Sequence, residues 1–331
     1  MVTVKDLAVL AETSVATVSR VINGNAHVSD TTRKRVLEAI SATGYVSQKT
    51  TKATDDDIVV ILPTLNNPYF QEILRGIEHK AISCGFSTYS CVTHRNIEIE
   101  NRYIRAVLAG NRAKGIIVVT STLSDQELDA LSLQFPMVLC GSTFSVSNVS
   151  FVCIDDRQAS YDAISFLVQL GNKKIAMISS NLETMAFVKN RHVGYMDALR
   201  DFSIPYVPDY DLSCDNSYSD GYECAKQLFQ LQDHPDAIFT FSEFTAIGVL
   251  KYMSEHGIIA GRDVDILGFD GTHLSEYSFP RLSVIQQPAY NIGKLSFEIL
   301  LDQITDPDNY VQRHIVLSHK LIARETTKEQ P

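Results

Sequence analysis

Between residues 4 and 43 the apolar positions recur at intervals of three and four, the spacing of short amphipathic helices. The first helix is expected at 4–11. Ser14 is placed to cap the second, where its hydroxyl satisfies a free backbone donor of the first turn. Val18, Val21 and Ile22 share a face able to bury against Leu7 and Ala8. After the turn Asn23-Gly24-Asn25, a third helix opens at Ser29-Asp30 and runs to Thr43, with Val36, Leu37 and Ile40 covering the first two and Gly44 stopping it. Residues 46–57 are polar and carry no apolar stripe. From Ile58 onward short apolar runs alternate with helical segments. Strands are expected at 58–62, 86–91, 115–119 and 137–140, with helices at 68–84, 97–109 and 124–134. A second series places strands at 174–179, 237–241 and 265–269 and helices at 186–202, 217–231 and 244–255, and a last helix spans 289–304. Strands alternating with helices imply parallel sheets covered on both faces, and two series of similar length imply two lobes.

The chain has 331 residues, 45% hydrophobic and 21% charged, enough for about two ordinary domains. Its net charge of −10 argues by itself against a nucleic-acid partner. The segments disagree with that average: residues 1–54 hold seven basic and four acidic side chains, a net +3, which leaves −13 for the rest. In a basic head on an acidic body, only the head need meet phosphate. Cys84, Cys91, Cys140, Cys153, Cys214 and Cys224 are scattered and form no Cys-x-x-Cys pair. Free thiols in a reducing cytoplasm are therefore expected, and a structural metal is not. No apolar run approaches membrane-spanning length, and a helical motif stands where a signal peptide would begin, so a cytoplasmic protein is expected.

The outer face of the second helix carries Val15, Ala16, Thr17, Ser19 and Arg20. Hydroxyls can hold phosphates, an arginine can donate two bonds to a guanine edge, and small apolar groups suit a thymine methyl. With this face, the stretch from Thr3-Val4-Lys5-Asp6-Leu7-Ala8 through Ser29, Thr32 and Arg33 to Gly44-Tyr45 resembles the lactose/galactose (LacI/GalR) repressor family of bacterial transcription regulators. Val15-Ala16 is like its galactose branch. Position by position, the resemblance implies that Val15, Ala16 and Arg20 touch bases, while Thr3, Ser14, Thr17, Ser19, Asn23, Ser29 and Thr32 hold phosphates. It also implies a hinge helix whose leucine wedges into the minor groove. Here Ser47-Gln48 replaces the family's Pro-Asn and the wedge position falls on Thr54, with Asp55, Asp56 and Asp57 close behind. Threonines are weak helix formers and acidic residues are unfavourable at a helix C-terminus, so a poorly ordered linker and a less bent operator are expected.

The resemblance continues through Asn67-Pro68-Tyr69-Phe70, Ile154-Asp155-Asp156, Leu170-Gly171, Arg191-x-x-Gly194-Tyr195, Leu267-Gly268-Phe269-Asp270 and Gln287-Pro288. It implies a small all-α helix-turn-helix headpiece followed by a two-lobed α/β periplasmic-binding-protein-like core with parallel sheets. The headpiece is expected at 1–46, the hinge at 47–57 and the core at 58–331. Lobe 1 takes about 58–154 and 289–316, and lobe 2 about 156–285 and 318–328. Ligands of such sheets sit outside the carboxyl ends of the strands. The candidate effector residues are Tyr69 and Phe70 for stacking, Ser121 at a strand end, Arg191 as a clamp for hydroxyls or a carboxylate, Asn216, Ser242, and Asp270 as an acceptor for sugar hydroxyls. Three positions depart from the family: Ser242-Glu243 for Asn-Asp, Cys140 for Asp, and Asn216 for an aromatic that Tyr218 can replace. They point to a ligand unlike the common galactosides.

The reading that follows is a sequence-specific repressor acting as a homodimer on operator DNA, controlled by a sugar or sugar derivative between the lobes. The alternative is a catabolite-control regulator whose main partner is a phosphorylated carrier protein. An enzyme is not expected. No Gly-x-Gly-x-x-Gly follows a strand, no phosphate-binding Gly-x-x-x-x-Gly-Lys motif occurs, and Asp155-Asp156, adjacent on an extended chain, would point apart. No catalytic residue, cofactor or metal is assigned. The polar stretch 321–331 has no leucine heptads, so no tetramerising bundle is expected.

Overall fold

The computed structural model describes residues 2–22, 28–43, 45, 57–110, 113–142, 144, 146, 148–181 and 185–329. The chain forms two compact units, Met1–Thr54 and Asp55–Pro331. The expected turn at Asn23, the stop at Gly44 and the hinge over 46–56 lie outside the described residues.

In the first unit α1 (Val4–Leu10), α2 (Val15–Ile22) and α3 (Asp30–Thr43) close around Leu7, Ala8, Ala11, Val18, Val21, Val36 and Ala39. Leu37, expected in this core, is 53% exposed. Val36, Ala39 and half-buried Ile40 already define the inward stripe of α3, and residue 37 stands a third of a turn away from it.

The second unit holds two parallel-stranded sheets. The first has the order β11-β5-β4-β3-β1-β2, built from β1 (Asp57–Leu62), β2 (Ser87–Val92), β3 (Gly115–Val119), β4 (Met137–Cys140), β5 (Ser150–Ile154) and β11 (His314–Leu317). The second has the order β12-β10-β9-β8-β6-β7, from β6 (Ile175–Ser179), β7 (Asp211–Ser213), β8 (Ala237–Thr240), β9 (Asp265–Asp270), β10 (Ser283–Gln286) and β12 (Lys320–Ile322). Among the described strands, only β12 runs antiparallel to its neighbour. The central strands β1, β3, β4, β8 and β9 are buried along their whole length, as strands covered on both faces must be. Asp57, expected in the linker, is buried as the first residue of β1 and lies opposite Ser87.

Helices α4 (Pro68–Ser83), α5 (Ile97–Gly110) and α6 (Asp125–Ser132) belong to the first sheet. Helices α7 (Asp156–Gln169), α8 (Ala186–Asp201), α9 (Tyr218–Gln230), α10 (Glu243–Glu255) and α11 (His273–Tyr277) belong to the second. The long α12 (Ala289–Thr305) returns to pack on α4 and the first sheet. The chain thus passes between the sheets after Ile154, between Gln286 and Ala289, and between Leu317 and Lys320. Strands β5, β7, β10, β11 and β12 and helix α7 were not separated as elements by the apolar pattern. Four of those strands are short, and α7 buries both apolar and polar side chains on its inner face. No helix among the described residues is long and apolar enough to cross a membrane.

Candidate DNA-reading face and effector cleft

Each helix of the first unit starts on a hydroxyl residue. Thr3 and Asp6 form a reciprocal cap on α1, in which Thr3 N–H donates to the Asp6 carboxylate at 2.7 Å and holds that carboxyl below its usual range. Ser14 Oγ accepts from Thr17 N–H at 3.1 Å and shares a 2.8 Å hydrogen bond with the Thr17 hydroxyl. Ser29 likewise accepts from Thr32 N–H at 3.4 Å and meets its hydroxyl at 2.8 Å. The sequence-assigned phosphate residues Thr3, Ser14 and Ser29 therefore head helices, whose N-termini favour anions. Val18 and Val21 turn into the core, which leaves Val15, Ala16 and Arg20 exposed and Thr17 and Ser19 half-buried on the outer side of α2. Among the assigned residues of this face, Asn23 is outside the described set.

In the second unit a pocket gathers the carboxyl ends of several strands. It is lined by Asn67, Tyr69 and Phe70 after β1, Arg95 after β2, Thr120 after β3, Gly141 after β4, Asn216 after β7, Phe241 and Ser242 after β8, and Asp270 ending β9. Arg191 and Phe187 of α8 complete it. The sequence assignment named six of these side chains: Tyr69, Phe70, Arg191, Asn216, Ser242 and Asp270. Applied to every strand, the carboxyl-end rule also finds Arg95, Thr120, Gly141 and Phe241.

Arg191 is 4% exposed and fixed on all sides. Its Nε donates to Asp156 Oδ1 at 2.8 Å, one terminal nitrogen donates to the Phe241 carbonyl at 2.7 Å, and its guanidinium lies 3.5 Å from the centre of the Phe269 ring. The arginine sits inside α8, as the helix expected at 186–202 implies. Gly194 makes this close fit possible, because a Cβ there would stand 2.1 Å from the Arg157 carbonyl oxygen of α7. Asp155 and Asp156 divide their work at the strand-helix junction. Asp155 is exposed and accepts from Gln158 N–H as the cap of α7, whereas Asp156 is buried under Arg191. Burial pushes the Asp156 carboxyl up to about 6, against the pull of Arg191.

Asp270 takes a left-handed backbone with φ +96° and is locked by Gln287, which donates its side-chain amide to Oδ1 and its backbone N–H to the carbonyl, both at 2.9 Å. Burial raises the Asp270 carboxyl above its ordinary value, opposed by Arg191 and by hydrogen bonds from Gln287 and Asn67. Ser242 caps α10 and donates to Asn216 Oδ1 at 2.5 Å. Next to it, Glu243 accepts from the backbone N–H and hydroxyl of Thr272 at 2.8 and 2.5 Å, and burial raises its carboxyl to about 7.

The first lobe's contribution is different. Asn67 caps α4 by accepting from Tyr69 N–H at 2.8 Å, which turns Tyr69 and Phe70 inward as an edge-to-face pair. The hydroxyls of Tyr69 and Thr120 are buried and have no hydrogen-bond partner. Arg95, with φ +58°, reaches Met185 Sδ at 3.9 Å and lies in the field of Asp215 and Asp270. The lining closes to a cavity of about 20 Å³, room for a single water.

Two sequence assignments fall outside this pocket. Ser121 is turned away, because its hydroxyl donates to the buried Glu100 carboxylate and accepts from Leu123 N–H at 3.1 Å. Tyr218 does not replace the missing ring: it packs against Phe244 at the start of α10, with ring centres 4.7 Å apart and planes tilted by 44°, and remains exposed. Cys140 is fully buried and its thiol is pushed up to about 12 by desolvation, so it offers no charge in place of the family's aspartate.

A three-helix reader joined to a two-sheet core with a pocket at the strand ends defines a DNA-binding regulator of the periplasmic-binding-protein-like class. The families described as periplasmic binding proteins and sugar binding domain of LacI family, and as bacterial regulatory proteins, lacI family, match residues 55–325 and 3–48. The chain belongs to the LacI family of bacterial transcriptional regulators. It is 32% identical to catabolite control protein A of Priestia megaterium over 99% of both chains. It is 30% identical to the transcriptional repressor PurR of Aliivibrio salmonicida, over 92% of this chain and 93% of that one. A solved complex of the transcriptional regulator CelR with cellobiose superposes with a TM-score of 0.73 at 26% identity, covering 98% of this chain and 100% of the other.

Proposed function

We propose that this regulator is a homodimeric repressor whose operator affinity is set by a small polyhydroxylated molecule bound between the lobes. The convergence of Arg191, Asp270, Tyr69 and Asn216 on one pocket carries the reading, since a guanidinium, a carboxylate, an amide and an aromatic ring are the groups that recognise a sugar's hydroxyls and its flat face. The unpartnered hydroxyls of Tyr69 and Thr120 support it: buried polar groups left unsatisfied in the empty protein gain partners when such a ligand enters. The 20 Å³ cavity describes a closed cleft, so ligand entry requires the lobes to part. On the reading helix, Val15, Ala16 and Arg20 contact bases, while Thr3, Ser14, Thr17, Ser19, Asn23, Ser29 and Thr32 hold phosphates. The domain limit proposed at 46/47 and the lobe limits near 155, 286 and 317 follow the same scheme.

The test has two arms. Selection of bound duplexes from a random pool is expected to return a palindrome, and melting of the protein against a panel of mono- and disaccharides is expected to show one that raises the melting temperature and changes palindrome binding. A non-palindromic product sinks the dimer; a palindrome whose binding no sugar alters sinks the carbohydrate effector. The tight cavity, together with the likeness to catabolite control protein A, supports a second reading in which a phosphorylated carrier protein is the main partner. Capture of the regulator by a phosphorylated carrier, and not by its unphosphorylated form, distinguishes that reading.

A further inference from the structure

Two arginines line the cleft pocket, and only one of them has a counter-ion. Arg191 rests on Asp156, whereas the Arg95 side chain reaches Met185 Sδ at 3.9 Å, and among the described residues no carboxylate comes within ion-pair distance of it. The direction of Arg95 is fixed by its turn. His94 and Arg95 both take a left-handed backbone, φ +53° and +58°, which costs free energy in residues with side chains and persists only where the surroundings hold it. Thr93 and Asn96 hold it here. Thr93 N–H donates to the Leu62 carbonyl at 3.0 Å, its hydroxyl accepts from Arg95 N–H at 3.3 Å, and Asn96 caps α5 by accepting from Glu98 and Ile99 N–H at 2.9 and 3.0 Å. The turn leaves His94 exposed and sets Arg95, half-buried, in the pocket wall. The same wall holds Tyr69 and Thr120, each 4% exposed, whose hydroxyls have no partner.

We propose that Arg95, Tyr69 and Thr120 form an anion subsite on the first lobe, and that the effector is a polyhydroxylated molecule carrying a carboxylate or a phosphate. This rests on the reading of the cleft as a sugar site and specifies which sugars enter it. An arginine side chain offers donors only, and the two hydroxyls add donors that nothing in the protein uses. A neutral sugar's hydroxyl can accept one of these bonds, but it leaves the guanidinium charge uncompensated in a site that closes away from water. A carboxylate or phosphate supplies the opposite charge and takes two parallel bonds from the guanidinium fork. Burial lowers the Arg95 guanidinium below its ordinary value, as it does for a cation drawn from water, and Asp215 and Asp270 oppose that shift only through their field. Oδ1 of Asp270 is already taken by Gln287. Arg191, by contrast, has its charge met by Asp156 and needs no anion from the ligand. The lobes then divide the ligand: Asp270 and Arg191 take hydroxyls, and the first lobe takes the acid group.

The test uses the full chain and extends the sugar panel with the uronic acid, aldonic acid and phosphate ester of each neutral member, titrated by calorimetry at fixed salt. An acid or phosphate ester is expected to bind about tenfold or more tightly than its neutral parent, and the separate series tell carboxylate from phosphate. Added salt is expected to weaken that anion and leave the neutral parent unchanged. A neutral sugar that binds as tightly as its own acids and esters overturns the proposal while the sugar cleft stands, and makes Asp270 the counter-ion of Arg95. If no member binds, neutral or anionic, the reading of the cleft falls and the anion subsite with it. This arm needs no variant. Arg95→Gln is expected to bring the anion's affinity down to that of the neutral parent, and Arg95→Lys, which keeps the charge, to retain the preference. Equal loss of both ligands in Arg95→Gln would show that the side chain only shapes the pocket, and overturns its assignment to the anion.

Discussion

The two faces of the cleft are built on opposite principles. On the second lobe nearly every polar group is already used: Arg191 on Asp156 and the Phe241 carbonyl, Asp270 on Gln287, Ser242 on Asn216, and Glu243 on Thr272. On the first lobe the hydroxyls of Tyr69 and Thr120 are buried without a hydrogen-bond partner. A paired wall keeps its shape whether or not a ligand is present, and removing a member leaves another buried charge exposed to an apolar interior. An unpaired wall gains only when a ligand arrives. On the proposed function, the difference gives rigidity and orientation to one lobe and ligand-dependent closure to the other.

The largest effect should come from breaking the paired wall. Arg191→Ala leaves Asp156 buried without its cation and is expected to cost about 3–5 kcal/mol, read as an earlier urea midpoint of the Asp55–Pro331 unit. A loss below 1 kcal/mol would mean that water or Asp156 protonation replaces the arginine and that the wall is less rigid than its hydrogen bonds suggest. In contrast, Leu7→Ala strikes the small core of α1 to α3. It should cost about 2–5 kcal/mol, abolish operator binding, and leave the melting of the larger unit unchanged.

The reading face supplies a finer comparison. Arg20→Ala is expected to cost about 1–3 kcal/mol per half-site and to relax base preference at one position, whereas Thr32→Ala should weaken all sequences alike. Equal loss on specific and random duplexes for both variants would reassign Arg20 to phosphate.

These residues also show what could be read in advance. The headpiece was legible because its logic is local: Ser14 caps the helix that carries Arg20 six residues on, and Val18 and Val21 fix which side faces outward. The strands β1, β3 and β4 were legible because buried parallel strands are continuous apolar runs. The cleft was legible only in part, since its groups come from loops far apart in the chain. Ser121 and Thr120 are neighbours at one strand end, and the sequence does not tell which turns inward; the buried Glu100, 21 positions away, takes the serine. Tyr218 goes to Phe244 for the same reason, a partner supplied by another element. Arg95 follows an edge strand whose weak apolar pattern gave no cause to look at its end.

Glu243 connects the paired wall to pH. Its carboxyl is raised by burial from 4.5 to about 7, so the folded chain binds this proton more tightly than the unfolded chain. The resulting stability is fully present below pH 4.5 and is lost as pH rises through about 7. Glu243→Gln should flatten that part of the stability curve, measured by urea unfolding at a series of pH values. An unchanged slope would assign it to Asp156, raised to about 6 in the same direction.

The smallest effect tests the unpaired wall. Tyr69→Phe removes a buried hydroxyl that has no partner, and with it a desolvation cost of about 1–3 kcal/mol that the folded protein bears without return. The ring stays packed on Phe70, so the variant is expected to be as stable as the wild type or slightly more so, while binding of the sugar identified by the melting panel weakens several-fold. Opposite signs on stability and affinity are the signature of a group kept for its ligand. Should Tyr69→Phe instead lose stability and keep its affinity, the hydroxyl is bonded to water in the empty protein, and both walls of the cleft are then paired before any ligand enters.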